Sequence, residues 1–371
     1  MPMPPDVPGQ DMAMDSDAMA ELKPDWREAK ARMTDWWAGR KTDRVPARVT
    51  APREGAPPRR NDRGTVAERH TDPGTVFGNL EEELAGTFHG GEAFPIHFVY
   101  IGAVPMGAFL GCELEFRPES VWQGRLPFGW DEADRVRFDP ANKWWRLLCD
   151  LTAVSCRRSR GRYLVTACGG GAFADVMVNL FGCEETLVAM IERPDAVRRL
   201  RDRMMEWNRR MFEECWGIVE PRQRGHADWL RIWAPARFHT FQCDVAVMLS
   251  PRTFRDLFLE EIRQQCRCMD YSLYHLDGSA QLIHLDALLS IEELGGIQWN
   301  PEPAVSSDPV AFAPALRQIR QAGKKLYLSC APERVRPVLN AVGTEGVFLS
   351  VSCKSEPQAR RVLNELEKIG V

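Results

Sequence analysis

The sequence has no Cys-x-x-Cys pair, although eleven of its 371 residues are cysteine. Small disulfide frameworks use an even number of cysteines at regular spacings, so an odd, irregular set points to free thiols in a reducing compartment. The nearest thing to a cluster, Cys266-Arg267-Cys268, falls in a helical pattern, where residues two apart face different directions. No apolar run approaches the roughly 18 to 20 residues that a membrane helix needs. The N-terminus also lacks the basic and hydrophobic regions of a signal peptide, and a cytoplasmic protein is expected. Charge of one sign is missing too: 48 basic against 52 acidic residues leave −4. With the bases scattered among acids there is no electrostatic footprint for nucleic acid. Cys168-Gly169-Gly170-Gly171 follows a strand-like run and permits close backbone approach, but it lacks the spacing of a dinucleotide fingerprint.

Residues 1–24 are Pro, Asp, Met and Ala without periodicity. They have too few large apolar groups to offset the entropy of ordering, and disorder is predicted. Residues 25–371 read as one domain. A helix is expected from about Asp25 to Gly39, with Trp26, Met33, Trp36 and Trp37 on one face, then a first strand over Val45–Thr50. The following loop carries Arg53, Arg59, Arg60 and Arg63, which reads as a solvated segment or as a contact for an anionic substrate. Further strands are predicted at Phe94–Tyr100, Tyr163–Ala167, Trp229–Trp233, Leu273–Asp277, Gly296–Trp299, Lys325–Cys330 and Val347–Cys353. Helical patterns over Lys143–Arg157, Glu184–Met211 (broken at Pro194) and Ser250–Asp270 lie between them. Eight strands alternating with helices predict a (β/α)8 barrel, whose active site sits at the C-terminal ends of the strands.

One stretch stands out at such an end. Leu273-Tyr274-His275-Leu276-Asp277-Gly278 is an apolar run that stops at His-x-Asp-Gly. Alternate residues of a strand share a face, so His275 and Asp277 point the same way, as metal ligands or an acid/base pair do. Val347–Cys353 reads as a buried strand ending on a third donor, Cys353. The structural alternative is a hydrogen bond between His275 and Asp277 beneath a turn, with Cys353 in the core.

Gln242-Cys243-Asp244-Val245 through Pro251, Tyr274–Gly278, Ile297-Gln298-Trp299 and the Cys353 segment resemble the uroporphyrinogen decarboxylase superfamily, nearer its cobalamin-dependent (corrinoid:thiol) methyltransferases. The resemblance implies a zinc ion held by His275, Asp277 and Cys353, with Asp277 standing where those enzymes have cysteine and Cys330 in reserve. It also implies a pocket lined by Gln242, Asp244, Asp286, Gln298 and Trp299, with Asp244, His275 and Asp277 in the chemistry. Zn²⁺ accepts carboxylate as well as thiolate ligands, and a bound thiol would be poised to accept a methyl group. No cobalamin-binding signature is present, so a corrinoid would arrive on a partner protein. Two other readings stay open: decarboxylation of an acidic tetrapyrrole-like substrate, and non-catalytic binding of a corrinoid or tetrapyrrole. Against the first, Thr50-Ala51-Pro52-Arg53-Glu54-Gly55 does not match the decarboxylases' arginine motif.

Overall fold

The computed structural model describes residues 16–57, 63–102, 104–166, 172–301 and 305–370. Arg59, Arg60 and the Cys168–Gly171 segment lie outside the described residues. The strands are β1 (Ala47–Pro52), β2 (Thr87–Gly91), β3 (Ile96–His97), β4 (Leu114–Phe116), β5 (Val121–Gln123), β6 (Leu164–Val165), β7 (His226–Ala227), β8 (Trp233–Ala234), β9 (Phe238–Gln242), β10 (Tyr271–Asp277), β11 (Gly296–Asn300), β12 (Lys325–Ser329) and β13 (Val347–Ser352). Seven of them form one sheet in the order β2-β1-β13-β12-β11-β10-β9. Every neighbouring pair in it is parallel except β1 with β2. The architecture is therefore mixed α/β with a mostly parallel sheet. Among the described residues the ladder ends at β2 and β9, and β3 and β6 pair in a ladder of their own. The eight-stranded closure expected from the sequence is not formed by these hydrogen bonds.

Strand alternation decides where function can sit. On β10, Leu273 joins an aromatic cluster with Phe238, Tyr327, Phe348 and the tryptophans of helix Trp26–Trp37, whereas Tyr274 and Leu276 belong to the larger core. His275 and Asp277 share Leu273's face by parity, further toward the strand's C-terminal end. The register places Gln298 beside His275 and Asn300 beside Asp277 on β11, with Gln242 beside His275 on β9. One face of the sheet thus has an apolar floor, capped by the tryptophan helix, and a polar rim above it.

Two expectations are corrected. Trp229–Trp233 is not a strand of the main sheet; only its last residue enters the short β8, paired with β7. Its backbone turns, because Leu230 N–H donates to Asp228 Oδ1 at 3.0 Å, Arg231 N–H donates to Asp228 O at 2.9 Å, and Arg231 takes φ 58°. Its apolar side chains, Leu230, Ile232 and Trp233, are buried as a plug in the aromatic cluster, and the sheet strand is the next segment, β9. The second correction concerns the N-terminus: residues 1–15 lie outside the described residues, whereas Met19, Leu22 and Lys23 of the segment expected to be disordered make tertiary contacts. Ser16–Ala20 is helical, Met19 is buried, and the fully enclosed Lys23 ammonium donates to Gly91 O at 2.6 Å and pairs with Asp25 at 2.7 Å. Close by, Glu92 is buried between Arg44, at 2.9 Å, and Arg32, and accepts the Ala47 N–H at 2.5 Å. That network ties helix Trp26–Trp37 to the start of β1.

Candidate metal centre

Asp244, His275 and Asp277 each offer a ligand atom, and these atoms all lie within 4.8 Å of one another. His275 and Asp277 come from the end of β10, with Nε2 3.8 Å from Asp277 Oδ1. Asp244 opens the 3-10 helix Asp244–Met248 that follows β9. This loop is fastened from several sides: Asp175, on helix Phe173–Phe181, accepts the N–H groups of Asp244 at 3.0 Å and Val245 at 2.8 Å. Gln281 donates to Cys243 O at 3.1 Å and His284 to Ala246 O at 2.9 Å.

The neighbours of the three ligands orient them. Gln298 Nε2 donates to Trp299 O at 3.2 Å, which leaves its Oε1 to receive the proton of His275 Nδ1. The Nε2 lone pair of His275 is then free and faces Asp277, the arrangement found when a ligating histidine is held through its other nitrogen. Asn300 donates to Asp277 Oδ1 at 2.5 Å and Gln242 to Asp244 Oδ2 at 3.0 Å. Asp244 Oδ1 is buried and has no hydrogen-bond partner among the described residues, and a buried carboxylate oxygen left in this way is costly unless a cation or donor meets it. Trp229 sets its ring edge against His275, with centroids 5.1 Å apart.

Electrostatics point the same way. Burial pushes the Asp175 carboxyl well above the usual range, and the neighbouring Asp244 adds to that. Burial raises Asp244 as well; His275 opposes the shift and Asp277 reinforces it. Asp244 and Asp277 converge on His275, with the Asp175 carboxyl close enough to feel both; a divalent cation would relieve their mutual repulsion. One imidazole nitrogen and two carboxylate oxygens form a donor set that Zn²⁺ accepts, with room for exogenous ligands. The residues present therefore fit a divalent metal.

The site differs from the expected one in its third ligand. Cys353 is outside the group of ligand atoms: two strands separate β13 from β10, and Cys353 lines a cavity beside β1 with Arg48 and Arg53. Cys330, past β12, is outside it too. Gln242 and Gln298 are in place, but as hydrogen-bond partners of Asp244 and His275. Trp299 is fully buried on the opposite face, against Phe312 at 4.9 Å, because adjacent residues of one strand cannot both face the site. Asp286 is exposed on the outer helix Leu285–Leu289 and accepts from Gln318 at 2.7 Å, so it does not line the pocket. The residue missed by sequence reasoning is Asp175. Its signal was a lone charge in the apolar helix Phe-Ala-Asp-Val-Met-Val-Asn-Leu-Phe.

No protein-family model matches the chain, and no curated protein matches it.

Proposed function

We propose that the chain is a metal-dependent transferase, with Zn²⁺ held by Asp244, His275 and Asp277, that moves a methyl group between a corrinoid or small methylated donor and a thiol-type acceptor. The observation that carries the metal is the convergence of these three side chains within 4.8 Å. The resemblance of the Gln242–Pro251 and Tyr274–Gly278 segments to corrinoid:thiol methyltransferases supports the transfer. The parallel run from β9 through β13 to β1 supports a (β/α)8 arrangement, in which sites gather at the strands' C-terminal ends.

When bound, the ion lowers the pKa of a coordinated thiol so that thiolate is available at neutral pH. The protein's own groups do the rest. Gln298 keeps the His275 proton on Nδ1, Asn300 and Gln242 fix the two carboxylates, and Trp229 walls one side of the imidazole. Methyl transfer breaks the bond between methyl and cobalt, with the electron pair left on cobalt, and forms the sulfur–methyl bond. The thiol's proton leaves to solvent or to a carboxylate.

The test is a zinc-loaded assay with methylcobalamin and a small thiol, read as thioether formed and corrinoid demethylated. The reading predicts turnover that drops by at least about a hundredfold in His275→Ala and in Asp277→Asn, a loss on the scale of about 3 kcal/mol in the barrier. Absence of thioether with intact zinc occupancy would contradict methyl transfer while sparing the metal site. The decarboxylase and carrier readings are separated from this one by metal content.

A further inference from the structure

The cavity lined by Cys353, about 730 Å³, opens beside β1, β2 and the end of β13. Its volume suits a small molecule. Among the described residues, Arg48, Arg53 and Arg231 line it against a single carboxylate, Glu83, and the remaining lining side chains, including those of Thr50, Thr87, His89 and Ser352, are uncharged at pH 7. Glu83 belongs to Arg231, at 2.8 Å. Neither Arg48 nor Arg53 has a carboxylate within ion-pair distance among the described residues.

Among the described residues, Arg48 and Arg53 are each anchored through one nitrogen. Arg48 Nη1 donates to Ser350 Oγ at 3.2 Å, and Arg53 Nε donates to Thr87 O at 3.3 Å. A guanidinium has five N–H donors and keeps its charge in a protein. Arg48 lies low on the inner face, paired in register with Ser350, and burial together with the nearby Arg231 disfavours its charged form. His89 adds two buried ring nitrogens without hydrogen-bond partners. Burial and the surrounding cations hold its pKa down at about 3, so the ring is neutral at pH 7 and offers one donor and one acceptor. A half-buried guanidinium with no carboxylate partner among the described residues is costly unless an anion meets it.

We infer that this cavity binds an oxyanion, the carboxylate or phosphate of a small organic ligand, clasped by Arg48 and Arg53 with Arg231 and His89 alongside. Fork-shaped guanidinium donors match either group in two-pronged fashion. The inference does not rest on the metal reading, because its lining residues and the three metal ligands are disjoint sets.

The test is calorimetry on the full chain, freed of metal by chelation, titrated with inorganic phosphate, with succinate, and with chloride at equal ionic strength. One of the two oxyanions should bind at one per chain, and which one binds assigns carboxylate or phosphate. Arg53→Gln and Arg48→Gln should each weaken that binding by about tenfold or more, the scale of a lost charge-assisted hydrogen bond. Arg63→Gln, which removes an exposed partner of Glu82 at 2.5 Å, should leave it unchanged. If Arg48→Gln does not fold by circular dichroism, Arg53→Gln at the cavity's edge carries the test. Binding no tighter than chloride, or unchanged in the folded arginine variants, overturns the inference.

Discussion

Asp228 shows what a single residue does to this protein's pH response. It is 2% exposed at the head of the Trp229–Trp233 plug, and burial pushes its carboxyl up to about 7. In the unfolded chain it ionises near the ordinary value of 3.8. Folding therefore takes up a proton between these values, and its contribution to stability is full below about pH 4 and declines as pH rises through 7. The change is of the order of 4 kcal/mol by linkage. Asp228→Asn, which keeps the shape without the charge, should be more stable than wild type in urea at pH 8 and gain nothing at pH 4; equal gains at both pH values would contradict this. Residue by residue, the site was legible where period-2 alternation could be followed. His275 and Asp277 share a face with Leu273, and the same rule separates Gln298, which reaches His275, from Trp299, which turns into the core. Cys353 was not legible in this way, because its distance from His275 depends on which strands lie between β10 and β13.

Among the elements, the long apolar runs of β10 to β13 and the helices Trp26–Trp37 and Lys143–Ser159 followed from apolar patterning, and the break at Pro194 did too, although the helix it opens runs on to Val219 rather than ending at Met211. The plug did not. Its residues are as apolar as a strand's, and only the Asp228 turn and the left-handed Arg231 divert them. The N-terminal segment was misread for the opposite reason. Three residues, Met19, Leu22 and Lys23, supply its packing, too few to leave a periodicity. Deleting residues through Pro24 should accordingly lower the melting temperature by several degrees or more, since it removes Met19 from the aromatic cluster and the Lys23 bonds to Gly91 and Asp25. An unchanged thermal scan would show that these contacts add nothing. Glu92→Ala should be harsher. It strands the buried Arg44 guanidinium and is expected to cost about 3 to 5 kcal/mol in chemical denaturation, whereas a loss below about 1 kcal/mol, the range of surface ion pairs, would place Glu92 outside the structural framework.

For the whole molecule, buried histidines and buried carboxyls respond to acid in opposite senses. Burial holds His239 and His97 at about 4, and burial together with nearby cations holds His89 at about 3, all below the ordinary 6.5. The unfolded chain binds protons that the folded one refuses, so the stability these groups contribute is present above pH 6.5 and is lost as pH falls through 4. Enclosed His239 alone represents roughly 3 kcal/mol. Because buried Asp228 and Asp175 respond in the opposite sense, the test is a difference: the urea midpoint of His239→Phe should rise relative to wild type as pH falls from 7 to 4, and a difference independent of pH would contradict it. The mixed α/β order was legible at this scale because strands and helices alternate in the sequence, whereas the closure of the sheet depends on edge pairing that no local pattern records. What the account turns on is the cluster at the end of β9 and β10. The most direct measurement is zinc bound per chain, by elemental analysis after chelation, resupply and desalting, in wild type, Asp244→Asn, His275→Ala, Asp277→Asn and Cys353→Ser. The account predicts one equivalent in wild type and in Cys353→Ser, and most of it lost in the other three. Far less than one equivalent in wild type, or a loss confined to Cys353→Ser, would contradict it.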